Sequence, residues 1–116
     1  MPGKLHNGSC IRLYDVTDHV GVAEGIETAI SATCLYKVPT WATVSDGGMR
    51  NWEPPQGIKK VTIFADNDAS FAGQSAAYLL AYRLAARKFE IEVKVPDTVG
   101  NDWNDVLNQL RGVNNK

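Results

Sequence analysis

Residues 60–68 read Lys60-Val61-Thr62-Ile63-Phe64-Ala65-Asp66-Asn67-Asp68. The first six, KVTIFA, form an unbroken run of apolar and β-branched residues. That pattern suits a strand buried on both faces, and such strands belong to parallel sheets. Two aspartates and an asparagine then stop the run at its carboxyl end. A buried parallel strand that delivers carboxylates at its tip raises the question of whether its neighbours do the same.

Downstream, Ser70 is placed to cap a helix running to about Lys88, with Ala76, Leu80 and Leu84 along one face and Ala77 and Leu79 widening it. Glu90 to Val95 (EIEVKV) alternates polar and apolar residues as an edge strand does, and Pro96 ends it. Asn101 or Asp102 caps a last helix containing Val106, Leu107 and Leu110. Upstream, Met49 to Glu53 reads as one helical turn broken by Pro54-Pro55. Trp41 to Val44 reads as a strand closed by Ser45-Asp46-Gly47-Gly48. Ile26 to Tyr36 has helical spacing and is stopped by Pro39. It follows the compact apolar strand His19 to Ala23 (HVGVA), which Glu24-Gly25 terminates. Cys10 to Tyr14 alternates as a short additional strand behind a frayed start. The order β, βα, β(α), βα, βα predicts an α/β fold, a mainly parallel four-stranded sheet flanked by helices, with a ligand site at the carboxyl ends of the strands. Residues 1–18 read as an extension of an upstream region, 19–112 as the folded unit and 113–116 as a disordered tail.

Length and composition agree with one globular domain: 116 residues, 44% apolar and 22% charged. Disorder, collagen and coiled coil are excluded, and neither a membrane span nor a signal peptide is legible. Twelve basic residues face thirteen acidic ones, for a net charge of -1. Such a chain has no bulk electrostatic reason to coat nucleic acid or anionic lipid, so a polyanionic partner would need basic surface from elsewhere. Cys10 and Cys34, with His6 and His19, lack zinc-site spacing. No zinc is expected, and two buried thiols in a cytoplasmic protein are the default reading.

The acids are not scattered. Glu24 follows HVGVA, Asp46 follows WATV, Asp66 and Asp68 follow KVTIFA, and Asp97, Asp102 and Asp105 follow EIEVKV. Carboxylates gathered at one sheet edge repel unless a cation lies among them. Mg²⁺ or Mn²⁺ suits such oxygen donors, and the usual partner of that ion is a phosphate-bearing substrate. Taken singly, each acid is about as well explained by capping: Glu24 as a first-turn acid, Asp102 as an N-cap. Taken together, Glu24, Asp66 and Asp68 favour a metal site. Gly25 and Gly73 beside the acids would let a phosphate approach, and Gly47-Gly48 would make another open loop on the same edge unless they are ordinary turn glycines. Asp102 and Asp105, three apart, share a helix face. Trp103 is expected to pack on the sheet, and Trp41 and Trp52 to be core or loop anchors rather than base-stacking platforms.

Four ordered segments resemble one known pattern: Glu24 to Ala29 (EGIETA), Ser45 to Gly48, Ala65 to Asp68 (ADND) with Gly73, and Asp102 to Leu107 (DWNDVL). Over about residues 19–110 the chain resembles the Toprim domain, and within it the phage- and plasmid-type bacterial primases. The resemblance implies a Rossmann-like α/β fold and Mg²⁺-dependent nucleotidyl transfer making an RNA primer. It implies Glu24 in acid/base or metal-linked chemistry, Asp66 and Asp68 as metal ligands, Glu27 as an assisting acid, and Asp102 and Asp105 completing the metal site. It implies nucleoside triphosphates as substrates, single-stranded DNA held through further domains, and a replicative helicase as partner. The zinc ribbon and basic catalytic subdomain of such primases are not in this sequence, so the expectation is a domain excised from a larger primase, or a stand-alone remnant, that binds metal and nucleotide but makes no primer alone. A Toprim nuclease using the same metal, or a non-catalytic docking module, fits the same residues. A haloacid-dehalogenase-type phosphatase does not, because its Asp-x-Asp follows a first strand and needs more chain downstream.

Overall fold

The computed structural model describes residues 10–67, 72–96 and 103–112, and for residues 46, 72, 73, 104, 105, 111 and 112 it describes the backbone alone. KVTIF forms strand β3 (Lys60–Phe64) in the middle of the sheet, buried from Val61 onward as its composition requires. It pairs in parallel with β1 (His19–Ala23) on one side and β4 (Glu90–Lys94) on the other, and β1 pairs in parallel with β2 (Thr40–Ala42). The order is β2-β1-β3-β4. Among the described residues four helices flank the sheet: α1 (Ile26–Tyr36), α2 (Asp46–Asn51), α3 (Ala72–Ala86) and α4 (Trp103–Gly112).

The period-2 alternation of the strands separates two cores. Val20, Val22, Trp41, Val61 and Ile63 pack with Met49 and Trp52 of the α2 region and with Ala76, Ala77, Leu80 and Leu84 of α3. Ala23, Ala42 and Phe64 pack on the other face with Ala29 and Ala32 of α1 and Trp103 of α4. Small residues on that second face let the helices sit close. A Cβ on Gly21 would lie 2.4 Å from Thr40 Oγ1 and 3.0 Å from the Phe64 ring. Trp41 and Trp52 are core residues, and Trp103 meets Phe64 edge-on at 5.8 Å.

Several boundaries differ from the sequence reading, each for a local reason. The additional strand at Cys10–Tyr14 contracts to one antiparallel bridge, Ile11 to Ala42, with N–H···O distances of 2.7 and 3.1 Å. The Tyr14 carbonyl accepts instead from the Trp41 indole N–H at 2.7 Å, which takes it out of any ladder. Strand β2 ends at Ala42 rather than Val44, because Val44 adopts φ 75° and turns the chain. Gly47 and Gly48 are not an open loop. Ser45 caps α2 by accepting from Gly48 N at 2.9 Å, which starts the helix at Asp46 instead of Met49. Leu79 does not widen the buried face of α3. It is exposed, as are Tyr78 and Tyr82, because Ala76, Ala77, Leu80 and Leu84 already supply the sheet-facing surface. The thiols are not the buried pair expected: Cys10 is half-buried, and Cys34 is exposed because α1 buries Thr28, Ala29, Ser31 and Ala32 instead. Ser70, Asn101 and Asp102 as helix caps, the frayed start at residues 1–9 and the tail at 113–116 lie outside the described residues.

Candidate functional site

The strand order carries a direct consequence. From β1 the chain crosses through α1 to β2 on one side, and from β3 it crosses through α3 to β4 on the other. The connections diverge between β1 and β3, and in open α/β sheets a crevice opens at such a point beyond the carboxyl ends of the strands. Glu24 directly follows β1, and Asp66 lies two residues beyond β3. The register pairs Ala23 with Phe64, so both acids leave adjacent strands at the crevice. They line one cleft of ≈ 490 Å³ together with Gly25, Ile26, Glu27, Thr28 and Val44. Three of these seven residues carry carboxylates, and none is a lysine, arginine or histidine.

The loops that present the acids are fastened to the sheet. Thr43 N donates to Ala23 O at 2.8 Å and Val44 N to Glu24 O at 2.7 Å, which extends pairing past the end of β2 and fixes the Glu24 backbone. Ala65 N donates to Lys94 O at 2.9 Å. Asn67 holds the turn after Asp66 from two sides: its Nδ2 donates to Pro96 O at 2.6 Å, and its Oδ1 accepts from Gln74 Nε2 at 2.9 Å. One side chain thereby joins the ends of β3 and β4 to the first turn of α3.

Of the residues singled out by sequence, Glu24, Gly25, Glu27 and Asp66 meet in the cleft. Gly47 and Gly48 do not line it and lie in the first turn of α2. Gly48 is required by packing, since a Cβ there would fall 2.3 Å from the Thr43 carbonyl oxygen. Gly25 is different. Its φ of -93° suits any residue, and an added Cβ would meet only Thr28 Oγ1 at 3.8 Å, so the fold itself does not demand glycine there. Asp105 and Gly73 fall in α4 and α3, where the backbone alone is described. Asp68, Asp97 and Asp102 lie outside the described residues. Among the described residues no three His, Cys, Asp or Glu side chains form a metal-holding group. Of the five acids expected to hold metal, only Glu24 and Asp66 have described side chains.

Sequence reasoning missed Ile26, Val44 and Asn67. The available signal was positional: Val44 follows a strand at the same edge as Glu24 and Asp66, and Asn67 sits between two aspartates. Away from the cleft, among the described residues no helix is long and apolar enough to cross a membrane.

A family model described as the Toprim domain matches residues 19–112. Among solved structures, the crystal structure of a DNA primase domain from Pseudomonas aeruginosa superposes with a TM-score of 0.63 at 15% identity, over 90% of this chain and 36% of that one. The present chain therefore spans about a third of the length of that neighbour, and at this identity the likeness is one of fold. No curated protein matches the chain.

Proposed function

The chain belongs to the Toprim domain family, and on that premise we propose that it is the Toprim catalytic unit of a DNA primase of the phage and plasmid type, performing Mg²⁺- or Mn²⁺-dependent nucleotidyl transfer. The observation that carries this reading is the meeting of Glu24 and Asp66 in one cleft at the β1/β3 divergence, where none of the described lining residues is basic. Hard carboxylate oxygens are the donors such ions take. Glu24 and Asp66 would hold the ion, with Asp68 as a third ligand and Asp102 and Asp105 completing the set. When bound, the ion supplies charge neutralisation at the phosphates of a nucleoside triphosphate.

The chain's own residues have separate roles in this reading. Asp66 orients a carboxylate into the cleft from a turn that Asn67 immobilises. Glu24 is the acid/base candidate, on a backbone held by Val44 N. Glu27, in the first turn of α1, is the assisting acid. Gly25 leaves space where any larger residue would crowd an incoming phosphate. Single-stranded DNA would be gripped by other parts of a longer protein, which agrees with the near-neutral charge of this chain.

Calorimetric titration of Mg²⁺ and Mn²⁺ into the wild type, Glu24→Gln, Asp66→Asn and Asp68→Asn tests the reading. Saturable binding in the wild type, weakened about tenfold or more in each variant with the fold retained, is the expected result. Equal binding in all four proteins would overturn it.

A further inference from the structure

Val44 is a β-branched residue at φ 75°, in the left-handed region that such side chains avoid. Its backbone is held there by Val44 N to Glu24 O and Thr43 N to Ala23 O, and the chain continues into the Ser45 cap of α2. The strain is not repaid by burial, because Val44 is 43% exposed. Ile26, at the first position of α1, is 44% exposed and lines the same cleft. Ile30, one turn further along α1, is 42% exposed. The cleft therefore combines a carboxylate group, Glu24, Glu27 and Asp66, with open aliphatic surface from Ile26 and Val44.

We propose that Val44 and Ile26 form an apolar wall that packs against the nucleoside portion of a nucleotide whose phosphates are held at the acidic part of the same cleft. The inference rests on the metal–phosphate reading given above and adds the side chains that position the rest of the ligand. A nucleoside triphosphate is the ligand class with both halves: a polyanion that needs a cation among carboxylates, and a base whose flat, weakly hydrated faces gain from aliphatic contact. The cleft, at ≈ 490 Å³, falls within the range of about 300–1,000 Å³ seen for small-molecule sites. Neither aliphatic side chain has a donor or acceptor, so the wall reads the presence of a nucleoside and not the identity of its base. A residue that projects into the ligand from a left-handed position also explains why valine stands where glycine or asparagine would relieve the backbone.

The experiment compares two probes in the presence of Mg²⁺: inorganic tripolyphosphate, which has only the anionic half, and ATP or CTP, which have both. Affinities are measured for the wild type, Val44→Gly and Ile26→Ala. In the wild type, ATP and CTP are expected to bind more tightly than tripolyphosphate. Each variant should lose about threefold to tenfold in nucleotide affinity, the scale of one partly buried aliphatic side chain, with tripolyphosphate affinity unchanged. Val44→Gly should melt no lower than the wild type, which separates a ligand-facing role from a structural one. Equal loss for tripolyphosphate and nucleotide, or no loss in either variant, would overturn the apolar wall while leaving the metal site standing. Failure of the wild type to bind any of the probes with Mg²⁺ would overturn both.

Discussion

The pair Gly47-Gly48 shows how much a single position is decided by its surroundings. In the sequence the two glycines are equivalent and read as one open loop. In the fold both belong to the first turn of α2, and their neighbours differ: nothing lies nearer a Cβ on Gly47 than Ser45 Oγ at 4.0 Å, whereas one on Gly48 would overlap the Thr43 carbonyl at 2.3 Å. Gly47→Ala should therefore be neutral or stabilise by up to about 1 kcal/mol, from helix propensity, and Gly48→Ala should destabilise by about 1–3 kcal/mol as the backbone shifts. Chemical denaturation of the two variants checks the asymmetry; equal effects would contradict it. Asn67 is a second case. Removing its side chain in Asn67→Ala breaks hydrogen bonds to Pro96 O and from Gln74, a loss of about 1–2 kcal/mol. The same change should weaken metal binding, although Asn67 supplies no charge. Of the candidate site, Glu24, Gly25, Glu27 and Asp66 were legible because chemistry selects residue types. Asn67 and Val44 were not, because an amide's partners and a positive φ are set by distant chain.

The elements themselves were easier to read, and the errors are instructive. KVTIFA, HVGVA and EIEVKV became β3, β1 and β4 nearly as bounded, because burial on both faces or alternation at an edge leaves a period in the sequence. α3 was harder. It is apolar nearly all round, so periodicity could not say which side faces the sheet, and Leu79 was assigned to the wrong one. Its orientation is set in part by Arg83, whose Nη2 donates to Arg50 O and Trp52 O, both at 2.7 Å, while Nη1 donates to Glu53 Oε2 at 2.5 Å. Arg83 thus satisfies carbonyls at the end of α2 that have no helical partner. Arg87 also pairs with Glu53 but reaches no carbonyl of the α2 end. Arg83→Ala should cost about 1–2 kcal/mol through the lost charged hydrogen bonds, and Arg87→Ala below about 0.5 kcal/mol as a surface ion pair. Thermal melts of both variants decide whether the staple or the ion pair matters.

At the scale of the molecule, the parallel sheet and the meeting of acids at its carboxyl edge could be anticipated from sequence, but the strand order could not. No local pattern states that β1 lies between β2 and β3, yet that order creates the crevice. The two ends of the sheet then respond to different solution variables. At the amino end His19 hydrogen-bonds through Nε2 to Thr62 Oγ1 at 2.8 Å, and burial first, then the nearby Lys60, holds its pKa below the ordinary 6.5. Asp18, Glu90 and Glu92 oppose that shift without reversing it. Protonation is therefore harder in the folded chain than in the unfolded one. Stability should be lost as pH falls through 6.5 toward the lowered folded value and be insensitive to this group above 6.5. His19→Gln should flatten the melting profile between pH 7.5 and 5.5, and an unchanged slope would contradict the assignment.

At the carboxyl end, in the reading proposed above, the controlling variable is a divalent ion. Glu24, Glu27 and Asp66 line one cleft, in which none of the described lining residues is basic, and like charges brought together repel. Asp66→Asn removes one of these charges at nearly constant shape. In metal-free buffer the variant should match or exceed the wild type in melting temperature. Addition of Mg²⁺ acts by mass action on the folded state alone: at about ten times the dissociation constant, binding adds about 1.4 kcal/mol, a shift of several degrees for a domain of this size. The wild type should gain that shift and Asp66→Asn should not, so the two melting curves should exchange order as Mg²⁺ is raised. Parallel curves at every Mg²⁺ concentration would mean that Asp66 is a turn residue and that the crevice between β1 and β3 does not hold the ion.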